Sequence, residues 1–97
     1  MRLDGKRAIV TGGASGFGAG IARKFVAEGA QVLLADLNLE LAKDLATEIG
    51  AKATRADVSD DASVKAMIET CVAAFGGVDI LINNAGVTHL PQPMEDV

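Results

Sequence analysis

Four short clusters carry the residue types that could do chemistry in this 97-residue sequence. The first is "TGGASGFG", Thr11 to Gly18. A glycine-rich loop that follows a strand and opens a helix brings backbone N–H groups and the positive helix end against a phosphate. A large side chain at Gly12, Gly16 or Gly18 would hold a pyrophosphate off those donors or push the helix off the strand. The glycines do not fit G-x-G-x-x-G, because starting from Gly16 the third position is Ile21. They fit T-G-x-x-x-G-x-G at Thr11, Gly12, Gly16 and Gly18, and Ser15 adds a hydroxyl. No Gly-Lys-Ser/Thr closes the loop, which excludes a phosphate-binding P-loop.

The second cluster is Asp36, about 20 residues beyond the loop, where a carboxylate accepts hydrogen bonds from an adenosine ribose. The same charge repels a 2′-phosphate. No Arg or Lys stands in the loop or directly after Asp36 to receive one, so NAD is expected over NADP. The alternative is that Asp36 only helps to cap the helix that follows Leu37 and Asn38. The third cluster is "ADVSD", in which Asp57 and Val58 could hold an adenine amino group against an apolar wall. Asp57 could equally belong to the turn before the next helix. The fourth is "NNAG", Asn83 to Gly86. Asn83 reads as a structural lock between strands, and Asn84, Ala85 and Gly86 as lining for the second ribose.

These clusters need a parallel α/β scaffold, and the hydropathy pattern supplies one. Continuous apolar runs at Ala8 to Val10, Val32 to Ala35 and Ile80 to Ile82 predict strands covered on both faces. The more polar Ala51 to Ala56 predicts an edge strand. Between them lie three helical patterns. One opens in the glycine loop, runs to about Glu28 and buries Ile21, Ala22, Phe25 and Val26. A second spans about Leu39 to Ile49, with Asn38 as N-cap, Gly50 past its end, and Leu41, Ala42, Leu45 and Ile49 facing inward. The third follows Asp60, with a stripe of Val64, Met67, Ile68, Cys71, Val72 and Phe75 before Gly76 and Gly77. The order β-α-β-α-β-α-β with right-handed crossovers gives a parallel sheet with helices on both faces. Pro91 and Pro93 mark a loop, and the pattern reads as the first part of one domain rather than a complete one.

Composition narrows the function further. The chain is 49% hydrophobic and 23% charged, with a net charge of -4 and no Trp or Tyr. This argues against nucleic acid and anionic membrane as partners. No apolar run is long enough to span a bilayer, and charged Arg2, Asp4, Lys6 and Arg7 leave no signal peptide at the start. Cys71 is alone, which suits a reducing cytoplasm and a core position. His89, the only histidine, reads as a loop residue rather than an acid/base. No metal site is expected.

"TGGASGFG", Asp36, "ADV" and "NNAG", in this order and spacing, resemble the short-chain dehydrogenase/reductase family over essentially the whole chain. The resemblance implies a doubly wound Rossmann fold with strand order 3-2-1-4, a nicotinamide cofactor, and hydride transfer between an alcohol and a ketone or aldehyde. It places Gly12, Ser15, Gly16, Phe17 and Gly18 at the pyrophosphate and nearby ribose. Asp36, with Leu37 beside it, would meet the adenosine ribose, Asp57 and Val58 the adenine, and Asn84 to Gly86 the nicotinamide ribose. It also implies a Ser and a Tyr-x-x-x-Lys beyond this segment, and homo-oligomers. The chain has no tyrosine, so it is expected to supply the cofactor-binding part and to be inactive alone. A short, non-catalytic nucleotide-binding module is the alternative. A methyltransferase using S-adenosylmethionine fits neither the wide glycine spacing nor "NNAG".

Overall fold

The structure, a computed structural model, describes residues 3–12 and 16–83. Its elements are β1 (Arg7–Thr11), α1 (Gly16–Ala27), β2 (Gln31–Asp36), α2 (Leu39–Ile49), β3 (Lys52–Arg55), α3 (Asp61–Phe75) and β4 (Ile80–Asn83). The four strands form one parallel sheet in the order β3-β2-β1-β4, the Rossmann-type order that the resemblance implies. The third strand is shorter than Ala51 to Ala56, and the first helix ends one residue before Glu28.

Each face of the sheet has its own core. Ala8, Val10, Val32 and Leu34 pack with Ala22 of α1 and with Ala42, Leu45 and Ala46 of α2. The alternate residues, Ile9, Leu33 and Ala35, pack with Met67 and Cys71 of α3. This is the period-2 alternation of a pleated strand, with apolar side chains on both sides because both sides are covered.

Local chemistry sets the helix ends. The Asn38 side chain accepts from the Leu41 N–H at 3.1 Å, and Asp60 accepts from the Ala62 N–H at 3.2 Å. Each satisfies a donor that the first helical turn leaves without an intrahelical partner. Gly50 and Gly76 close the other ends at φ 82° and 90°.

Three residues expected to face inward do not. Leu41 is 50% exposed, Val72 47% and Ile68 37%. In α2 the buried stripe is Ala42, Leu45 and Ala46, with Ile49 partly buried. Small Ala42 and Ala46 face the sheet, and Leu41 falls on the flank. On α3 only Met67 and Cys71 are fully buried, while Val64 and Phe75 pack partly. Among the described residues nothing lies beyond either edge of the sheet to cover the outer flanks. Leu81 of β4 is 47% exposed for the same reason.

At the amino ends of the strands, Arg7 and Asp79 clasp β1 to β4. Arg7 Nε and Nη2 donate to the two Asp79 carboxylate oxygens at 2.8 and 3.1 Å, and the Arg7 N–H adds a third bond at 2.9 Å. A Cβ at Gly77 would stand 2.9 Å from Arg7 Nη1, so the absent side chain leaves room for the guanidinium. Hydrogen bonds from the Arg7 side chain and backbone lower the Asp79 pKa from 3.8 to about 2. A carboxylate whose folded pKa is depressed stabilises the fold above its unfolded pKa and loses that contribution as pH falls through the folded one. Thermal melts of the native chain should therefore shift down between about pH 4 and pH 2 more steeply than those of Asp79→Asn. Parallel pH profiles for the two would show that the clasp contributes nothing.

Candidate functional site

Parallel pairing gathers the carboxyl ends of all four strands at one edge of the sheet. Thr11 is in register with Ala35 on one side and Asn83 on the other, and Asp36 with Arg55. The Gly12 N–H donates to the Ala35 carbonyl at 2.8 Å, and the Ala56 N–H to the Asp36 carbonyl at 3.1 Å. Connections from β1 and β2 run over one face and the connection from β3 over the other, so the order reverses between β1 and β4. In open α/β sheets, ligands bind outside the carboxyl ends of the strands at that switch point.

The glycine loop begins here. Gly12 has φ 65°, in the left-handed region, so the chain leaves β1 in a conformation that side chains other than Gly rarely adopt. Gly16 opens α1, and among the described residues a Cβ built on it would meet no atom within 4 Å. Gly18 is buried in the first turn of α1. Phe17, between them, is 84% exposed. An open groove of about 620 Å³ runs along α1 beside Phe17, Ile21 and Phe25. It is a helix flank whose only polar side chain among the described residues is Lys24.

The two strand-end acids are both engaged in their turns. Asp36 Oδ1 accepts from the Asn38 N–H at 2.9 Å, which braces the turn leading into α2 and so supports the Asn38 cap without capping the helix itself. A carboxylate offers about four acceptor sites, so this bond is compatible with further acceptance from a ribose. Leu37 beside it is 59% exposed. Asp57 Oδ1 accepts from the Ser59 hydroxyl at 2.6 Å and the Ser59 N–H at 2.9 Å. The Ser59 bonds, with a smaller attraction from Arg55, hold the Asp57 carboxyl below its ordinary value. Its own N–H donates to Ser63 Oγ at 2.9 Å, tying the strand end to α3. Val58 follows, half-buried.

On the other side, Thr11 is a buried polar residue whose Oγ1 donates to the Ile82 carbonyl at 3.0 Å. Asn83 Oδ1 lies 3.4 Å from the same hydroxyl, a weaker contact beside that bond, and Asn83 is the register partner of Thr11 at the end of β4. Ser15 and Asn84, Ala85 and Gly86 lie outside the described residues, as does His89. Two contributors were not singled out from the sequence: Thr11, as a strand-to-strand link, and Arg55, which stands beside Asp36. Their partners lie 71 and 19 residues away along the chain, and only strand register reveals them. Among the described residues no group of three or more His, Cys, Asp or Glu side chains converges as for a metal, and no helix is long and apolar enough to cross a membrane.

Comparisons with known proteins agree with this geometry. The model of the short chain dehydrogenase family matches residues 6–97. D-threitol dehydrogenase of Mycolicibacterium smegmatis is 46% identical over 102 aligned positions, covering 100% of this chain and 39% of that protein. Sorbitol dehydrogenase of Cereibacter sphaeroides is 45% identical over 97 positions, covering 98% and 38%. The crystal structure of a 3-ketoacyl-(acyl-carrier-protein) reductase from Brucella melitensis, complexed with NADH, is 47% identical. It superposes with a TM-score of 0.84 over 93% of this chain and 38% of that one. The chain therefore spans 38–39% of the length of these relatives.

Proposed function

The chain belongs to the short-chain dehydrogenase family of oxidoreductases, and we propose that within it these 97 residues form the NAD(H)-holding part of a single Rossmann domain. One observation carries the reading: the left-handed Gly12, the start of α1 at Gly16 and the Asp36 carboxylate share one edge of the sheet, at its switch point. The open space where a Gly16 side chain would stand fits the close approach of a pyrophosphate.

In this proposal Gly12, Ser15, Gly16, Phe17 and Gly18 cradle the pyrophosphate. Asp36 and Leu37 take the adenosine ribose, Asp57 and Val58 the adenine, and Asn84, Ala85 and Gly86 the ribose on the nicotinamide side. Asp36 selects NAD over NADP because its charge opposes a 2′-phosphate. When bound, the nicotinamide would accept or donate a hydride in the exchange between a small alcohol and its ketone or aldehyde. This chain's residues hold and orient that group. No tyrosine is present to move the accompanying proton, so we place the acid/base step outside these residues. The NADH complex among the similar proteins supports the cofactor, and the sorbitol and D-threitol dehydrogenases support an alcohol as substrate. A homo-oligomeric enzyme working in the cytoplasm belongs to the same proposal.

The test is titration of the chain with NADH, read as cofactor fluorescence and as a thermal shift. With no Trp or Tyr in the chain, the nucleotide signal is free of protein emission from those residues. A ligand of the folded state at 100 times its Kd stabilises by about 2.7 kcal/mol, which should appear as a clear rise in melting temperature. An unmoved melt in millimolar NADH would refute the reading.

A further inference from the structure

A cation stands where the sequence showed none. Arg55 ends β3 in register with Asp36, the acid that ends β2. Register partners in a parallel sheet sit about 4.8 Å apart and project to the same face. Two residues earlier, Leu34 and Ala53 are also partners, and both pack in the core on the α1/α2 side, which assigns Asp36 and Arg55 to that side. Arg55 is exposed and lines an open groove of about 510 Å³ with Leu39, Lys43, Thr47, Lys52 and Thr54. Among the described residues no salt bridge holds Lys43, Lys52 or Arg55, although Arg55 attracts the Asp57 carboxylate just beyond the end of its own strand.

We propose that Arg55 is a specificity-determining residue, a 2′-phosphate-binding cation whose attraction Asp36 cancels in the native chain. The inference rests on the dinucleotide reading above. If Asp36 accepts from the adenosine 2′- and 3′-hydroxyls, a phosphate on the 2′-oxygen lies at the Asp36–Arg55 pair. Guanidinium groups bind phosphate through paired N–H donors, and such charge-assisted bonds are among the stronger polar contacts. In the native chain the adjacent carboxylate opposes that anion, and NADP(H) is held more weakly than NAD(H). With the Asp36 charge removed, the groove is lined by Lys43, Lys52 and Arg55 with no acid among its lining residues, and Asp57, which Arg55 also attracts, is the carboxylate that remains close by. The discrimination is therefore set by two residues on neighbouring strands rather than by Asp36 alone.

Asp36→Asn is the informative variant, because its side-chain oxygen still accepts from the Asn38 N–H and preserves the turn. Affinities for NADH and NADPH are measured for the native chain, Asp36→Asn, Arg55→Gln, Asp36→Asn/Arg55→Gln and Asp36→Asn/Lys43→Gln, with melting temperatures confirming folding. Asp36→Asn should bind NADPH about tenfold or more tightly than the native chain does. Adding Arg55→Gln should abolish most of that gain, whereas adding Lys43→Gln should leave most of it. Arg55→Gln alone should weaken NADPH more than NADH. A gain that survives loss of Arg55, or that depends on Lys43 instead, overturns the role of Arg55 and leaves the cofactor reading standing. A native chain that binds neither dinucleotide overturns both.

Discussion

Gly12→Val is expected to weaken NADH binding by about 100-fold or more, equivalent to about 2.7 kcal/mol. Gly12 holds φ 65°, and its N–H donates to the Ala35 carbonyl at 2.8 Å. An L-residue in the left-handed region costs roughly 1–2 kcal/mol, and a β-branched one more. The chain can keep the conformation and carry that strain, or leave it and pull the loop away from β2. Leaving it moves the backbone donors proposed to meet the pyrophosphate, and in both cases the isopropyl group adds bulk where the proposed ligand would approach. Gly5 provides the control. It too has positive φ, at 78°, with open space around a Cβ, but it lies before β1 at the opposite end of the sheet. Gly5→Ala should cost about 1 kcal/mol of stability and leave NADH affinity unchanged. Equal losses of affinity in the two variants would mean that Gly12 acts only through the fold.

The second large effect concerns stability. Leu34 has no exposed surface and sits mid-sheet in β2, in register with Val10 of β1 and Ala53 of β3. It packs into the core beneath α1 and α2. Truncating such a leucine removes its transfer free energy and leaves a cavity, about 2–5 kcal/mol in comparable cores. Native proteins are stable by only about 5–15 kcal/mol in total, so Leu34→Ala should remove a large fraction of the stability and lower the urea midpoint markedly. Urea unfolding followed by far-UV circular dichroism measures it. Leu41→Ala is the counterpart. This leucine, which helical periodicity places inward, is half-exposed in the structure, and its truncation should cost about 1 kcal/mol or less. Similar losses at the two positions would show that the α2 flank is covered in solution.

What could be read from the chain follows the range of the interactions involved. Asn38 is legible as a cap because it bonds an N–H three residues on, whereas Asp60 is read only as the residue before α3 and the structure adds its bond to the Ala62 N–H. Gly50 and Gly76 are legible because a helix ends in a conformation that glycine adopts easily. Strands and helices appear as runs and stripes, since side-chain direction repeats along a local backbone. Asp36 and Asp57 were legible as strand-end acids with two open roles each. The structure shows the turn role for both, and the cofactor role stands as proposed.

The sequence by itself determined the element order, the helix caps, the glycine loop and the family. All of these depend on residue types at short or fixed spacings. Tertiary structure decided which flanks of α2 and α3 remain uncovered, that Arg7 grips Asp79 across 72 residues, and that Arg55 stands beside Asp36. Those depend on hydrogen-bond register between strands and on where the sheet ends. A one-residue slip would break each pairing without altering any local pattern. No cation flanks Asp36 along the chain, yet the folded sheet brings Arg55 into register beside it.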